Sequence, residues 1–355
     1  MKRWLQELAR GKTGARDLNF EEANAAAAEL LDGGASEAQA GAFLTALRLK
    51  SETPDELAAF ILALRLRSSR TELDAEWKER AVVVAGGSEG RDSFNASLGA
   101  SLLCTLAGMK MLLQSCEPLP PLQGVGLGAL LRSLGVQRGP ADEPLMAMDD
   151  LQHLGLGYLD SETWCPVLAD LRRLRGELGV RTVLHSAERF LKPLGCKQLL
   201  VGVQNAPALE RVRTLAGRLG AERVVAVQGL DGSEDLPIHR AAQVVLIENG
   251  QARTLTLDAG DLGLQGGLKR GLSLDEQRGR LAQVLGGEAS HLVDNERKQV
   301  LWNTACRLWF FGQALSLGEG LEQAQELLRS GRGLTLLMKW ARLSESVAAR
   351  AQGVE

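Results

Sequence analysis

Apolar positions at helical spacing dominate the first seventy residues. Leu57, Phe60, Ile61 and Leu64 form one stripe, and Phe43, Leu44 and Leu47 another, which predicts amphipathic helices sharing a buried face. Their starts are also signalled. Asn19 with Glu22 and Ser36 with Gln39 are spaced as capping boxes, and Thr53, Pro54 and Glu56 combine an N-cap, a first-turn proline and a box partner. Gly33-Gly34 supplies a left-handed stop after Leu31. The opening Met1-Lys2-Arg3-Trp4-Leu5-Gln6-Glu7 reads as an amphipathic helix, with none of the apolar core of a leader peptide.

From Arg80 the pattern changes to short, mostly apolar runs, the first of them β-branched. Ala81 to Val84, Met109 to Leu113, Thr182 to Leu184, Leu199 to Val203, Val224 to Val227 and Val244 to Ile247 predict strands. Between them, Asn95 to Ala107, Pro166 to Leu178 and Ala208 to Leu219 predict helices, and from Glu288 the chain returns to helix, punctuated by Gly318 and Gly331. Such alternation implies a mostly parallel sheet covered by helices. The expected fold class is therefore α/β with a small helical N-terminal domain. Residues 1–72 form the helical domain, residues 78–355 the α/β domain, and helices near 163–180 pack on the former.

Bulk properties narrow the function. The 355 residues are 45% hydrophobic and 24% charged, enough for a sizeable core, and no run of about 18 apolar residues exists to cross a membrane. The expected location is the cytoplasm. Five scattered cysteines and four dispersed histidines have neither C-x-x-C nor metal-ligand spacing, which argues against a disulfide framework or a zinc centre. A net charge of −3 leaves polyanion binding to a local patch.

Three segments carry candidate chemistry. The first is Gly86-Gly87-Ser88-Glu89-Gly90, directly after a strand, followed by Ser93, Asn95 and Ser97 at the start of a helix. Glycines there let backbone N–H groups converge on an anion, and the helix N-terminus adds its dipole; the alternative is a tight turn and no more. The second is Gly229-Leu230-Asp231-Gly232-Ser233-Glu234-Asp235 after the Val224 run. Carboxylates at a strand's C-terminal end suit Mg²⁺, although the same residues make ordinary turns. The third is basic: Arg172, Arg173, Arg175, Arg181, Arg189, Lys192 and Lys197, with His185 among them. It is either a solvated helix face or an anion-binding groove.

In this order the pieces resemble the anthranilate phosphoribosyltransferase family, over nearly the whole chain. Phe43 to Leu57 is similar to its helix-to-helix turn, and Glu177 to Thr182 and Asp258 to Leu264 are similar to later motifs. The resemblance implies the nucleoside phosphorylase class II type of fold and a dimer formed through the helical domain. It assigns Gly87, Gly90, Asn95 and Ser97 to a phosphate and ribose loop, and the reading of the loop itself adds Gly86, Ser88 and Ser93. Ser97, Glu234 and Asp235 become a Mg²⁺ site and Arg181 approaches the acceptor; Arg172, Arg173 and His185 of the basic segment complete the acceptor or polyanion side. No catalytic residue is assigned. The departures lie in the same places. Gly86, Ser88 and Glu89 stand where the family has threonine, glycine and aspartate. Leu113-Gln114-Ser115-Cys116 replaces Lys-His-Gly-Asn, Pro120-Pro121 replaces two serines, and His185 replaces an asparagine. They resemble the divergent YbiB-like branch. Two functions are implied: a phosphoribosyl-type transferase binding a phosphorylated ribose or nucleotide, or a catalytically silent paralogue that binds single-stranded nucleic acid.

Overall fold

All three expected capping boxes form. Asn19 Oδ1 accepts the Glu22 N–H at 2.9 Å while Glu22 Oε2 accepts the Asn19 N–H at 3.0 Å, and Ser36–Gln39 and Thr53–Glu56 repeat the exchange. They open α2 (Phe20–Leu31), α3 (Glu37–Lys50) and α4 (Pro54–Leu66), preceded by α1 (Lys2–Leu8). The computed structural model describes residues 1–11, 14–122, 124–137, 143–215, 217–218, 220, 222–287 and 289–351. Leu219 and Glu288, which bound two of the expected helices, lie outside the described residues.

Seven strands form one sheet in the order β3-β2-β1-β4-β5-β6-β7. They are β1 (Ala81–Ala85), β2 (Lys110–Ser115), β3 (Leu156–Asp160), β4 (Gln198–Gly202), β5 (Arg223–Val227), β6 (Ala242–Glu248) and β7 (Gln251–Leu257). β3 through β5 run parallel, and β6 and β7 fold back antiparallel. Alternate residues feed two apolar cores. Ala81, Val83 and Ala85 join the core continuous with α2, α3 and α4, whereas Val82 and Val84 join the one beneath the C-terminal helices. The helical domain therefore shares a core with one face of the sheet. Helices over Arg172–Leu178 and Val183–Ala187 contact α3, and the latter also contacts α4.

Some expectations need correction. Thr182 to Leu184 is no strand: Thr182 caps the Val183–Ala187 helix, its N–H donating to His185 Nδ1 at 3.1 Å. A short β-branched run cannot be told from a buried helix start by periodicity. The single helix expected over Pro166 to Leu178 is two, Pro166–Asp170 and Arg172–Leu178, and Gly318 lies inside the Leu317–Arg329 helix. β3, β7 and the Leu274–Leu285 helix were not expected. Asn249-Gly250, both at positive φ, is the hairpin signal for β7, and Ser273 with Glu276 is the capping box for the helix. Among the described residues no helix is long and apolar enough to cross a membrane.

Candidate anion site

The C-terminal ends of β1, β4 and β5 meet at one place, the edge where open α/β sheets bind ligands. The glycine loop leaves β1 there. Its outer side is clamped by the segment before the Leu127–Ser133 helix, through Leu119 N–H to Ser88 O (2.8 Å) and the paired Arg91–Val125 bonds (3.1 and 2.8 Å). Gly90 packs so closely on the Gly124 backbone that no Cβ fits. Among the described residues, the N–H groups of Gly87, Ser88, Glu89 and Gly90 donate to nothing. Gly87 and Glu89 are the half-exposed members of this cradle.

The other predicted loop residues are engaged internally. Asn95 caps the Ala96–Leu106 helix and its N–H reaches Gln277 Oε1 at 3.2 Å. Ser97 Oγ accepts Arg307 Nη2 at 2.8 Å. Ser93 is buried, and its Oγ has no partner among the described residues. The helix N-terminus already holds an anion, since the N–H groups of Ala96 and Ser97 donate to Asp235 Oδ2 at 3.1 and 3.2 Å. Gly86, also in the expected set, bonds through its N–H to Gln114 O at 2.8 Å.

Five guanidinium groups surround the loop, and sequence reasoning singled out only part of them. Arg91 spans the acidic pair, Nη2 lying 2.8 Å from Glu234 Oε1 and Nη1 pairing with Asp235 Oδ2. Arg307 Nη2 stands 3.4 Å from Asp235 Oδ1. Arg175 meets Glu188 at 2.6 Å with both side chains wholly buried, and donates to Ser88 Oγ at 3.1 Å. Arg181 Nε lies 2.7 Å from Glu89. Arg189 differs: it donates to the carbonyls of Gly202 and Gly232, lies against Gly87, and has no carboxylate partner among the described residues. Burial lowers the Arg189 pKa, partly offset by Glu89, Glu234 and Glu188. For Glu234 burial is the largest single influence and works upwards, but Arg91, Ser97 and Arg307 together outweigh it and the carboxyl falls to about 2.

Beside the cradle a cleft of about 150 Å³ separates α3 and α4 from the Ala206–Thr214 helix. Arg48, Arg181, Arg189, Arg211 and His185 line it, with Glu52 as the acidic member. Arg211 is 3.5 Å from Glu52, while Arg48 has no carboxylate partner among the described residues. His185 is buried and its Nδ1 accepts the Thr182 N–H, so the proton sits on Nε2, which has no partner among the described residues. Burial, with Arg175 and Arg189 nearby, holds the His185 pKa well below the usual imidazole value.

Of the predicted acceptor residues, Arg181 and His185 thus reach the cleft. Arg172 and Arg173 do not line it. Arg172 pairs with Glu162 (2.8 Å) and Arg173 with Glu177 (2.8 Å) and Glu37. Lys197 likewise meets Glu79 and Glu222. The basic segment is largely neutralised by partners distant in sequence. Arg307 was missed because it lies in the Asp294–Phe310 helix, far along the chain from the loop, and Arg91 because an arginine after a glycine loop has no standard motif. The available signal was its position beside two downstream carboxylates that lacked a cation.

A helical bundle packed on a largely parallel sheet is the two-domain architecture of the glycosyl transferase family. Residues 2–68 match the helical bundle domain of the glycosyl transferase family and residues 80–334 its a/b domain. An anthranilate phosphoribosyltransferase of Methylobacterium nodulans is 30% identical over 342 residues, covering 96% of this chain and 98% of its own. One from Methylocella silvestris is 29% identical over 355 residues, covering 99% and 97%. The chain belongs to the anthranilate phosphoribosyltransferase family. The crystal structure of that enzyme from Thermus thermophilus, 25% identical, matches with a TM-score of 0.75 over 96% of this chain and 99% of that one. The Saccharomyces cerevisiae enzyme in complex with PRPP and Mg is 18% identical, with a TM-score of 0.78 over 97% and 98%. At that identity the likeness concerns the fold.

Ser97, Glu234 and Asp235 are the residues expected to hold Mg²⁺. The three residues do come together, but they do not fit a divalent cation as they stand. Both carboxylates are already balanced by Arg91 and Arg307, and Ser97 Oγ is taken by Arg307. Among the described residues, Glu234 Oε2 is the buried carboxylate oxygen of the pair left without a hydrogen bond. A divalent ion about 4 Å from the Arg91 guanidinium would meet roughly 8 kcal/mol of repulsion at an effective dielectric near 20.

Proposed function

We propose that this chain binds a phosphate-bearing ligand, of the phosphorylated-ribose or nucleotide class, in the glycine cradle and the adjoining arginine cleft. One observation carries this reading: among the described residues Arg189 is a buried guanidinium without a carboxylate partner, lying against Gly87 beside four N–H groups that have no acceptor. Charge-assisted bonds from such a group to phosphate are about twice as strong as neutral ones. The PRPP in the yeast relative supports the same ligand class.

Transfer to anthranilate is not part of the proposal. The stretch in the place of the family's Lys-His-Gly-Asn serves the interior: Gln114 Nε2 bonds Glu188 O at 2.8 Å and Ser161 Oγ at 3.2 Å, and Ser115 Oγ meets the Tyr158 hydroxyl at 3.4 Å. None of these groups is left to stabilise leaving-group charge.

Calorimetry with PRPP and with a nucleoside monophosphate tests the reading. Binding is expected, weakened by about 10- to 100-fold in Arg189→Gln, the size of a lost charge-assisted bond. Absence of binding at millimolar ligand, or full affinity in the variant, would overturn it. The nucleic-acid alternative makes a different demand: single-stranded DNA binding with a steep salt dependence that does not respond to Arg189→Gln.

A further inference from the structure

The acidic pair already contains a cation of its own. Arg91 bridges Glu234 and Asp235, and its backbone is fixed by the paired bonds to Val125 and by Gln277 Nε2 donating to Arg91 O at 3.3 Å. Arg91 is 9% exposed, Glu234 2% and Asp235 0%, so water screens none of these charges. Arg307 and the N–H groups of Ala96 and Ser97 complete the shell around Asp235. The result is a closed, charge-balanced unit that ties the glycine loop to the turn after β5.

We propose that in this chain Arg91 has taken the place of a divalent cation: the Glu234–Asp235 pair binds no Mg²⁺ or Mn²⁺, and the phosphate-bearing ligand is held without metal. The second half rests on the proposed function; the first does not. Arg91 is then a specificity-determining residue. It sets the site's preference for a free anion over a metal-complexed one, because a metal complex would bring a second cation to occupied carboxylates.

The test uses the full chain stripped with EDTA. Free Mn²⁺ is followed by electron paramagnetic resonance in the wild type, in Arg91→Ser, and in Arg91→Ser combined with Asp235→Asn. The wild type is expected to show no saturable site up to about 1 mM, Arg91→Ser one site at least about 10-fold tighter, and the double variant none. A wild-type site that Glu234→Gln abolishes overturns the proposal. So does Arg91→Ser that gains no Mn²⁺ binding. Should Arg91→Ser fail to fold, the melting temperature of the wild type decides: stabilisation by Mg²⁺ beyond a matched-ionic-strength control refutes metal exclusion. Calorimetry with inorganic pyrophosphate in EDTA and in Mg²⁺ then addresses the ligand. Equal affinities are expected, and a metal requirement overturns the second half. No binding under either condition removes the proposed function, while the Mn²⁺ result still decides what Arg91 does.

Discussion

Glu188→Gln is expected to be among the most damaging conservative changes in this chain. The side chains of Glu188 and Arg175 are both 0% exposed and meet at 2.6 Å. Apart from Glu188, the Arg175 guanidinium donates to Ser88 Oγ; its Nε and Nη1 have no partner among the described residues. Glutamine keeps the shape and one acceptor oxygen but removes the charge, leaving a guanidinium that cannot shed its proton in a water-free site. Removing one member of such a pair costs about 3–5 kcal/mol. Arg175→Met should cost less, because a lone carboxylate can be neutralised by a proton. Replacing both, as Arg175→Met with Glu188→Leu, should return to within about 1–2 kcal/mol of the wild type, since apolar groups of similar volume need no partner. Urea unfolding of the wild type, Arg175→Met, Glu188→Leu and their combination gives the coupling directly, provided the slopes agree, with Glu188→Gln measured beside them. Additive costs, or a Glu188→Gln penalty below about 1 kcal/mol, would refute the view that this pair anchors the floor of the cradle.

Two further outcomes follow from the same geometry. His185 stays neutral in the folded protein, its pKa held well below 6.5, whereas the unfolded chain takes up the proton. Stability should therefore fall as pH drops below about 6.5, by about 1.4 kcal/mol per unit from this residue, and His185→Gln, which can keep the Thr182 cap, should lose that component; parallel pH profiles for the two proteins would refute it. Gly229→Ala should cost about 1–3 kcal/mol or more, because the new Cβ would run into Ser233 O and approach Asp235 O at 3.0 Å. Gly176→Ala, in a helix with nothing within 4 Å of the new Cβ, should instead gain about 0.5–1 kcal/mol, and similar urea midpoints for both would refute the packing argument.

What the sequence made legible is what neighbouring residues decide. Capping boxes at Asn19, Ser36 and Thr53 need only a side chain three residues away, and the runs that became β1, β2, β4, β5 and β6 need only a few mostly apolar residues in a row. β3 was hidden because Gly157 weakens its pattern, and that glycine exists for a tertiary reason: a Cβ there would lie 2.6 Å from Ala147 O. β7 was hidden because an edge strand with mostly exposed residues has no apolar signal. The site divides in the same way. That the Gly86–Gly90 loop and the Glu234–Asp235 turn would meet was readable from two strands ending in one sheet. That Arg91, Arg175 and Arg307 would each find a carboxylate 13 to 144 residues away was not, since ion pairing depends on the fold.

Those pairings also explain why the basic segment misleads when it is read as a surface. Around the loop, Arg91, Arg175, Arg181, Arg189 and Arg307 face Glu89, Glu188, Glu234 and Asp235, which leaves one positive charge unmatched. Buried guanidinium groups without partners are costly, so a fold keeps such an excess only where something else pays for it. Arg189 bears that excess, and it lies against the half-exposed glycine of the cradle, beside N–H groups that also lack an acceptor. The neutralised arginines around it are paired with carboxylates and so would not compete for the proposed ligand. An anion bound beside Gly87 and Arg189, as proposed, would satisfy both deficits at once, and on that proposal the charge imbalance, more than the number of basic residues, points to the site.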